Sequence, residues 1–186
     1  MKNVEKLTLY HGSYIIVQNP DVSLCRQGKD FGRGFYLTTS RMQAISFAKT
    51  SVRKAIGNRI IPKDTKYGYV SQFTIDSFDG LEVFGFENAD TEWLHCVVAH
   101  RKSMGMEAEI AKWLQYDVMY GKIANDNTNL VITAYIDGIY GTIGSEKADN
   151  IAISFLEPEN LKDQFCFRTT RALEMLKYVG NESILL

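Results

Sequence analysis

Polar and aromatic side chains gather at three places in the sequence where the local elements do not require them. The first is the run His11-Gly12-Ser13, at the end of a short alternating segment. The second is Tyr36, which follows a glycine-rich turn, and the third is Gln164, which begins a late apolar segment. Each of these side chains can exchange hydrogen bonds with a ligand, but each alone also has an ordinary role in packing or at a surface. Their combination makes them the candidate site residues.

The motifs of the commonest enzyme classes are missing from the chain. It has no P-loop, no zinc-protease HExxH and no serine-hydrolase GxSxG. The run Phe31-Gly-Arg-Gly-Phe35 lacks the third glycine of a dinucleotide fingerprint and precedes a predicted strand, so it does not indicate a Rossmann fold. His95 and His100 are five residues apart, which does not place them on one helix face. We therefore predict no metal site.

Composition indicates one globular domain, residues 1–186. Hydrophobic residues make up 45% and charged residues 23%, which are ordinary values for a folded protein, and the formal charge is -1. A chain that coats nucleic acid or anionic lipid usually carries a basic excess. The N-terminus has no apolar core, no stretch approaches the length of a membrane span, and the three cysteines have no paired spacing. These features predict a cytoplasmic protein with no membrane partner.

Alternating and helical patterns predict the elements that position these residues. In the most secure helix, Ser40 and Gln43 form a capping box, apolar side chains recur at helical spacing, and Gly57 supplies the stop. A first strand is predicted from Lys6 to about His11-Gly12, and further strands at Phe35–Leu37, Tyr67–Ile75, Tyr116–Tyr120 and Gln164–Arg168. Further helices are predicted after Asp90, through Leu130 to Gly138, over Ala148–Leu156, and from Thr170 to a C-cap at Gly180. The mixed order, without regular strand–helix alternation, favours an α+β fold.

Four segments together carry a resemblance to a known family. They are Leu9-Tyr-His-Gly-Ser13, Gly34-Phe-Tyr-Leu-Thr-Thr39 followed by Gln43-Ala44, Tyr116 through Thr128, and Gln164-Phe-Cys-Phe-Arg-Thr169. Their order and spacing resemble the His–Tyr–Glu pattern of the ADP-ribosyltransferase superfamily. The chain is more closely similar to an uncharacterised bacterial branch that has Gln at the third position. The resemblance runs from about Leu7 to Leu176.

The resemblance implies a fold and an activity. It implies two packed antiparallel sheets with flanking helices and a central cleft that binds NAD+. The enzyme would break the bond between ribose and nicotinamide and transfer ADP-ribose to an acceptor, which could be a protein, a nucleic acid or a small molecule. The same resemblance suggests a bacterial toxin or effector, and it leaves room for an inhibitory partner protein. The alternative is an inactive module that binds NAD+ or ADP-ribose.

The resemblance also assigns roles to the first candidate residues. His11 would hydrogen-bond a ribose hydroxyl, and the Gly12 backbone would hold the nicotinamide amide. Tyr36 would stack on the nicotinamide ring, with Ser13 as a neighbour on the same wall. Together they would hold the sugar while an electron-poor, nearly planar ribose forms in the transition state.

The third position departs from the better-known members, which have Glu. Gln164 can donate and accept hydrogen bonds, but it cannot take a proton at neutral pH. The acceptor could already be nucleophilic, another carboxylate such as Asp126 could supply the base, or the domain could bind without transfer. Asp126 and Asn125 would equally serve as a turn and helix cap. Arg33 or Arg26 could meet the diphosphate, since guanidinium pairs well with phosphate.

Overall fold

The computed structural model describes residues 6–102, 104–123, 126–156 and 163–186. Within these ranges the strands are β1 (Leu7–Ser13), β2 (Phe35–Leu37), β3 (Tyr67–Ile75), β4 (Val83–Gly85), β5 (Val118–Lys122), β6 (Asp163–Phe167) and β7 (Lys177–Leu185). The helices are α1 (Arg41–Gly57), α2 (Thr91–Lys102), α3 (Glu107–Ala111), α4 (Asp126–Ile136), α5 (Glu146–Leu156) and α6 (Thr170–Glu174), with a short 3-10 turn at Val22–Leu24.

The strands form two sheets. The first has the order β1-β3-β7 and is antiparallel throughout. The second has the order β2-β6-β5-β4, in which β4 runs parallel to β5 and the other pairs are antiparallel. The α+β class is therefore confirmed, but the expectation of two antiparallel sheets is wrong for the second sheet. A crossover from β4 through α2 and α3 allows the parallel pairing.

Three apolar clusters show how the layers pack. Leu9 and Phe73 of the first sheet share a buried cluster with Phe35 and Phe167 of the second, so the two sheets face one another. The other face of the second sheet packs on a cluster that includes α2, α4 and α5. Helix α1 covers the outer face of the first sheet. The sheets therefore lie between α1 on one side and the helices α2, α4 and α5 on the other.

Most predicted elements are confirmed, including β1, β2 and β3 at close to their predicted bounds. The strand predicted from Tyr116 begins at Val118, and β4 and α3 were not predicted. The predicted last helix begins at Thr170 as expected, but its predicted end is wrong, because α6 ends at Glu174 and Gly180 lies within β7. The pairing of β7 with β3 explains this result, because it satisfies the backbone of the segment that would otherwise have to continue as a helix.

The ends of α1 differ in detail from the sequence prediction. Ser40 accepts a hydrogen bond from the Gln43 amide, as predicted for the N-cap. The Ser40 amide donates instead to Thr38 Oγ1, so the reciprocal half of the capping box is not formed. At the other end, Gly57 is the last helical residue, and Arg59 adopts the left-handed conformation.

Among the helices that the structure describes, none combines the length and the apolar character that crossing a bilayer requires.

Candidate functional site

The site begins where β1 of the first sheet meets the end of β2 of the second. Tyr10 and Thr38 exchange two backbone hydrogen bonds of 2.8 and 3.0 Å, forming one antiparallel bridge. The described pairing between the two strands stops there, although continuing the register would bring Gly12 opposite Tyr36. Because alternate residues of a strand point their backbone groups to the same edge, the Gly12 amide and carbonyl face β2 without a ladder partner among the described residues.

His11 reaches across this junction to the backbone of β2. Its Nδ1 lies 2.8 Å from the Tyr36 carbonyl oxygen, and its ring lies 4.4 Å from that of Phe35. A carbonyl can only accept, so Nδ1 carries the proton and Nε2 of the neutral ring is an acceptor. Burial lowers the pKa of His11, and the bond to Tyr36 opposes this in smaller part. The imidazole is therefore neutral at pH 7.

Gly12 and Ser13 make close contacts at the end of β1. A Cβ on Gly12 would lie 1.9 Å from the Ala44 carbonyl oxygen, so α1 packs directly on the β1 backbone at this position. Ser13 is buried, and its hydroxyl accepts a bond of 3.4 Å from the Ile15 amide. Gly12 thus contributes backbone groups toward β2, while its missing side chain leaves room for the helix.

The Tyr36 side chain lies beneath the glycine-rich turn. Its hydroxyl accepts from the Phe31 amide at 2.9 Å and donates to the Gly32 carbonyl at 2.8 Å. Burial, helped by the neighbouring Cys166 and Asp30, raises the pKa of Tyr36 well above its usual value. The phenol is therefore neutral and holds residues 31–32 over the outer face of the second sheet.

Two glycines allow this turn to pack closely against α2 and β6. Gly32 has a φ of +79°, and a Cβ there would lie 2.6 Å from Cδ2 of the buried His100 ring. A Cβ on Gly34 would lie 2.4 Å from the Cys166 sulfur. A side chain at either position would collide with these groups, which explains why both positions are glycine. The sequence pattern alone could not specify this reason.

Gln164 lies on the same face of β6 as Cys166, which is paired with Tyr36. Its Nε2 donates to Asp30 Oδ2 at 2.7 Å and to the Lys122 carbonyl at 3.3 Å. Tyr36 and Gln164 are thus tied to the same turn, since one bonds to residues 31 and 32 and the other to residue 30.

Asp30, which accepts the hydrogen bond from Gln164, also forms an ion pair with Arg101. Arg101 donates to Asp30 Oδ1 through Nε at 2.8 Å and Nη2 at 2.5 Å. Its Nη1 donates to Asn129 Oδ1 at 2.5 Å, which links the cluster to α4. Neither Asp30 nor Arg101 was among the candidates from sequence. Asp30 is 134 residues from Gln164 along the chain, and no local spacing signals such a contact.

Some of the candidate site residues contact one another in the structure, and others do not. Tyr36 and Gln164 share a sheet face and a turn, and His11 joins them through the Tyr36 carbonyl, with its ring on the opposite side of β2 beside Phe35. Arg33 and Arg26 are exposed on the loop before β2. Asn125 lies outside the described residues. Asp126 begins α4, and its side chain lies outside the described part.

The remaining histidines take part in helix contacts. His95 Nε2 lies 3.0 Å from Asp149 Oδ2 on α5, and His100 Nδ1 donates to the Cys96 carbonyl at 2.9 Å. Within the described ranges, no group of three or more His, Cys, Asp or Glu residues is arranged to hold a metal ion.

A groove of about 270 Å³ lies elsewhere, on the outer face of the first sheet beside the start of α1. Its lining includes Tyr10, Gln72 and the ion pair of Arg41 with Glu182. None of the candidate residues lines this groove.

One family model matches this chain, over residues 7–178, and its description is "Protein of unknown function (DUF3990)". The chain belongs to that family. No curated protein matches the chain. No solved structure matches it either.

Proposed function

We propose that this protein is an NAD+-dependent mono-ADP-ribosyltransferase whose contacts to NAD+ include His11, Tyr36 and Gln164. The observation that carries the proposal is the convergence of these residues from three distant parts of the chain. The His11 ring bonds to the Tyr36 backbone, and the Tyr36 and Gln164 side chains bond to one turn at residues 30–32. The resemblance in the sequence supplies the chemistry that such a group would perform.

In this reaction the bond between ribose C1′ and the nicotinamide nitrogen breaks, and its electron pair leaves with nicotinamide. The acceptor nucleophile forms the new bond to C1′ and releases its proton. His11 Nε2 and Gln164 Oε1 would accept hydrogen bonds from ribose hydroxyls, which stabilises the electron-poor sugar. The Gly12 amide and carbonyl that face β2 offer one donor and one acceptor, which together match the carboxamide of nicotinamide.

The proton that the acceptor releases meets no strong base among these residues, because burial lowers the pKa of His11. Gln164 cannot act as a base, and Asp30, the carboxylate nearest to it, is paired with Arg101. This observation favours a second candidate function, in which the domain binds NAD+ or ADP-ribose and transfers nothing.

Nicotinamide release separates the two functions. The protein is incubated with NAD+ labelled in its adenylate half, together with cell lysate, RNA or DNA, and free nicotinamide and transferred label are measured. We expect His11→Ala and Tyr36→Ala to lower release about 100-fold, because each removes a contact to the reacting sugar or its leaving group. Gln115→Ala and Tyr67→Phe are matched controls, since both residues are exposed.

Calorimetry of NAD+ binding completes this experiment. Binding without nicotinamide release would identify the non-transferring module. A protein that releases no nicotinamide with any of these acceptors, and that binds neither NAD+ nor ADP-ribose in the calorimeter, would contradict both functions.

A further inference from the structure

Both donors of the Gln164 carboxamide are used by groups that can only accept. The Asp30 carboxylate lies 2.7 Å from Nε2, and the Lys122 carbonyl lies 3.3 Å from it. Neither partner carries a hydrogen to give, so the NH2 group must face them. The opposite atom, Oε1, has no hydrogen bond among the described residues. The carboxamide therefore has one defined orientation.

Asp30 is itself held in place. Arg101 donates two hydrogen bonds to Oδ1, and Gln164 donates one to Oδ2. The Asp30 and Arg101 side chains are only 10% and 18% exposed. A buried ion pair adds little net stability compared with well-packed apolar side chains, but it fixes the direction of its hydrogen bonds. Positioning of Gln164 is a role that suits such a pair.

We infer that Asp30, held by Arg101, is a positioning residue that makes Gln164 present its carbonyl oxygen to the substrate. This inference rests on the proposed function and names what Gln164 recognises there: a hydroxyl of the nicotinamide-side ribose, acting as donor. Gln164 then offers the same acceptor that a glutamate would offer. It differs from glutamate in being unable to take a proton.

The pairing also predicts what substitutions at the two positions would do. Gln164→Glu would set two carboxylates face to face at a buried site, where like charges repel strongly. Asp30→Asn keeps an acceptor for Arg101 but turns an NH2 group toward Gln164, whose carboxamide must then rotate and present its own NH2 to the substrate. In the double variant Asp30→Asn/Gln164→Glu, the amide introduced at position 30 donates to one oxygen of the new carboxylate, and the other oxygen remains as an acceptor.

The experiment uses two measurements. Hydrogen exchange of the Gln164 side-chain amide, in protein labelled with 15N-glutamine, compares the unmodified chain with Asp30→Asn, because the other two variants lack this amide. Nicotinamide release compares all three variants with the unmodified chain. We expect slow exchange in the unmodified chain and at least about 10-fold faster exchange in Asp30→Asn, as one charge-assisted bond is lost. We expect kcat to fall about 100-fold in Asp30→Asn with KM little changed, and to recover at least about 10-fold in the double variant.

The control variant is Asp163→Asn. It removes a carboxylate next to Gln164 whose one partner among the described groups is the Lys122 ammonium. Both measurements should therefore stay unchanged in this variant. Unchanged exchange of the Gln164 amide in Asp30→Asn would overturn the inference, and so would a double variant no better than Asp30→Asn. If Asp30→Asn does not fold, Arg101→Lys loosens the same carboxylate and gives the exchange test. Absence of NAD+ turnover in the unmodified chain would count against the proposed function alone, since amide exchange still decides the orientation.

Discussion

The His11 ring is oriented by a backbone carbonyl and not by another ionisable side chain. The Tyr36 carbonyl lies 2.8 Å from Nδ1, and a main-chain acceptor keeps its position and charge at every pH. The acceptor at Nε2 therefore depends only on the protonation of the ring itself. A ligand hydroxyl could no longer donate to Nε2 once the imidazole gains a second proton.

The lowered pKa of His11 predicts that stability depends on pH. The unfolded chain binds a proton to this residue near its ordinary pKa of about 6.5, whereas the folded protein does so only at lower pH. The contribution of neutral His11 is therefore complete above about pH 6.5 and is lost as the pH falls through the lowered folded value. Burial also lowers the pKa of His100, which adds in the same direction.

Urea unfolding at pH 7.5 and pH 5.0 measures this effect. We expect the free energy of unfolding of the unmodified chain to fall between the two conditions, and that of His11→Gln to fall less. An equal loss in both proteins would show that His11 is not the titrating group.

At the scale of elements, the contact between α1 and β1 depends on the absence of one side chain. We expect Gly12→Ala to lower the free energy of unfolding by about 3 kcal/mol, because its Cβ would collide with the α1 backbone and no rotamer can relieve the collision. Gly180→Ala is the matched control, since nothing lies within 4 Å of its Cβ position. It should change stability by less than about 0.5 kcal/mol. Chemical denaturation of both variants tests this prediction, and similar values for the two would refute it.

Local patterns were sufficient for the elements that carry the candidate residues. Alternation predicted β1 and β3, and the N-cap of α1 followed from Ser40. The same reasoning failed after Thr170, where Ala172, Leu173 and Leu176 have helical spacing although the helix lasts only one turn. The next segment contains Gly180, a poor strand former, and its strand conformation comes from pairing with β3, far away in sequence.

At the scale of the whole molecule, the sequence predicted the mixed class and most strands but not how the two sheets are completed. The three-residue strand β4 is too short to show alternation, and its parallel pairing with β5 is set by the connection through α2 and α3. The polar cluster at the candidate site likewise depends on contacts between residues that are far apart in the sequence. His11, Tyr36 and Gln164 could be selected by type and order, whereas Asp30 and Arg101 become partners only after the chain has folded.

The close contact between Gly34 and Cys166 makes this thiol a reporter of how often the turn above it opens. Burial raises the pKa of Cys166 to about 12, so the sulfur is both covered and un-ionised in the closed form. A thiol-specific dye should therefore label it only during excursions that lift residues 30–34 away from β6. In a chain whose other cysteines are serine, we expect labelling at least about 100-fold slower than in the unfolded protein. A nicotinamide ring stacked on Tyr36 would change that rate, and a rate equal to that of the unfolded chain would mean that the turn does not close.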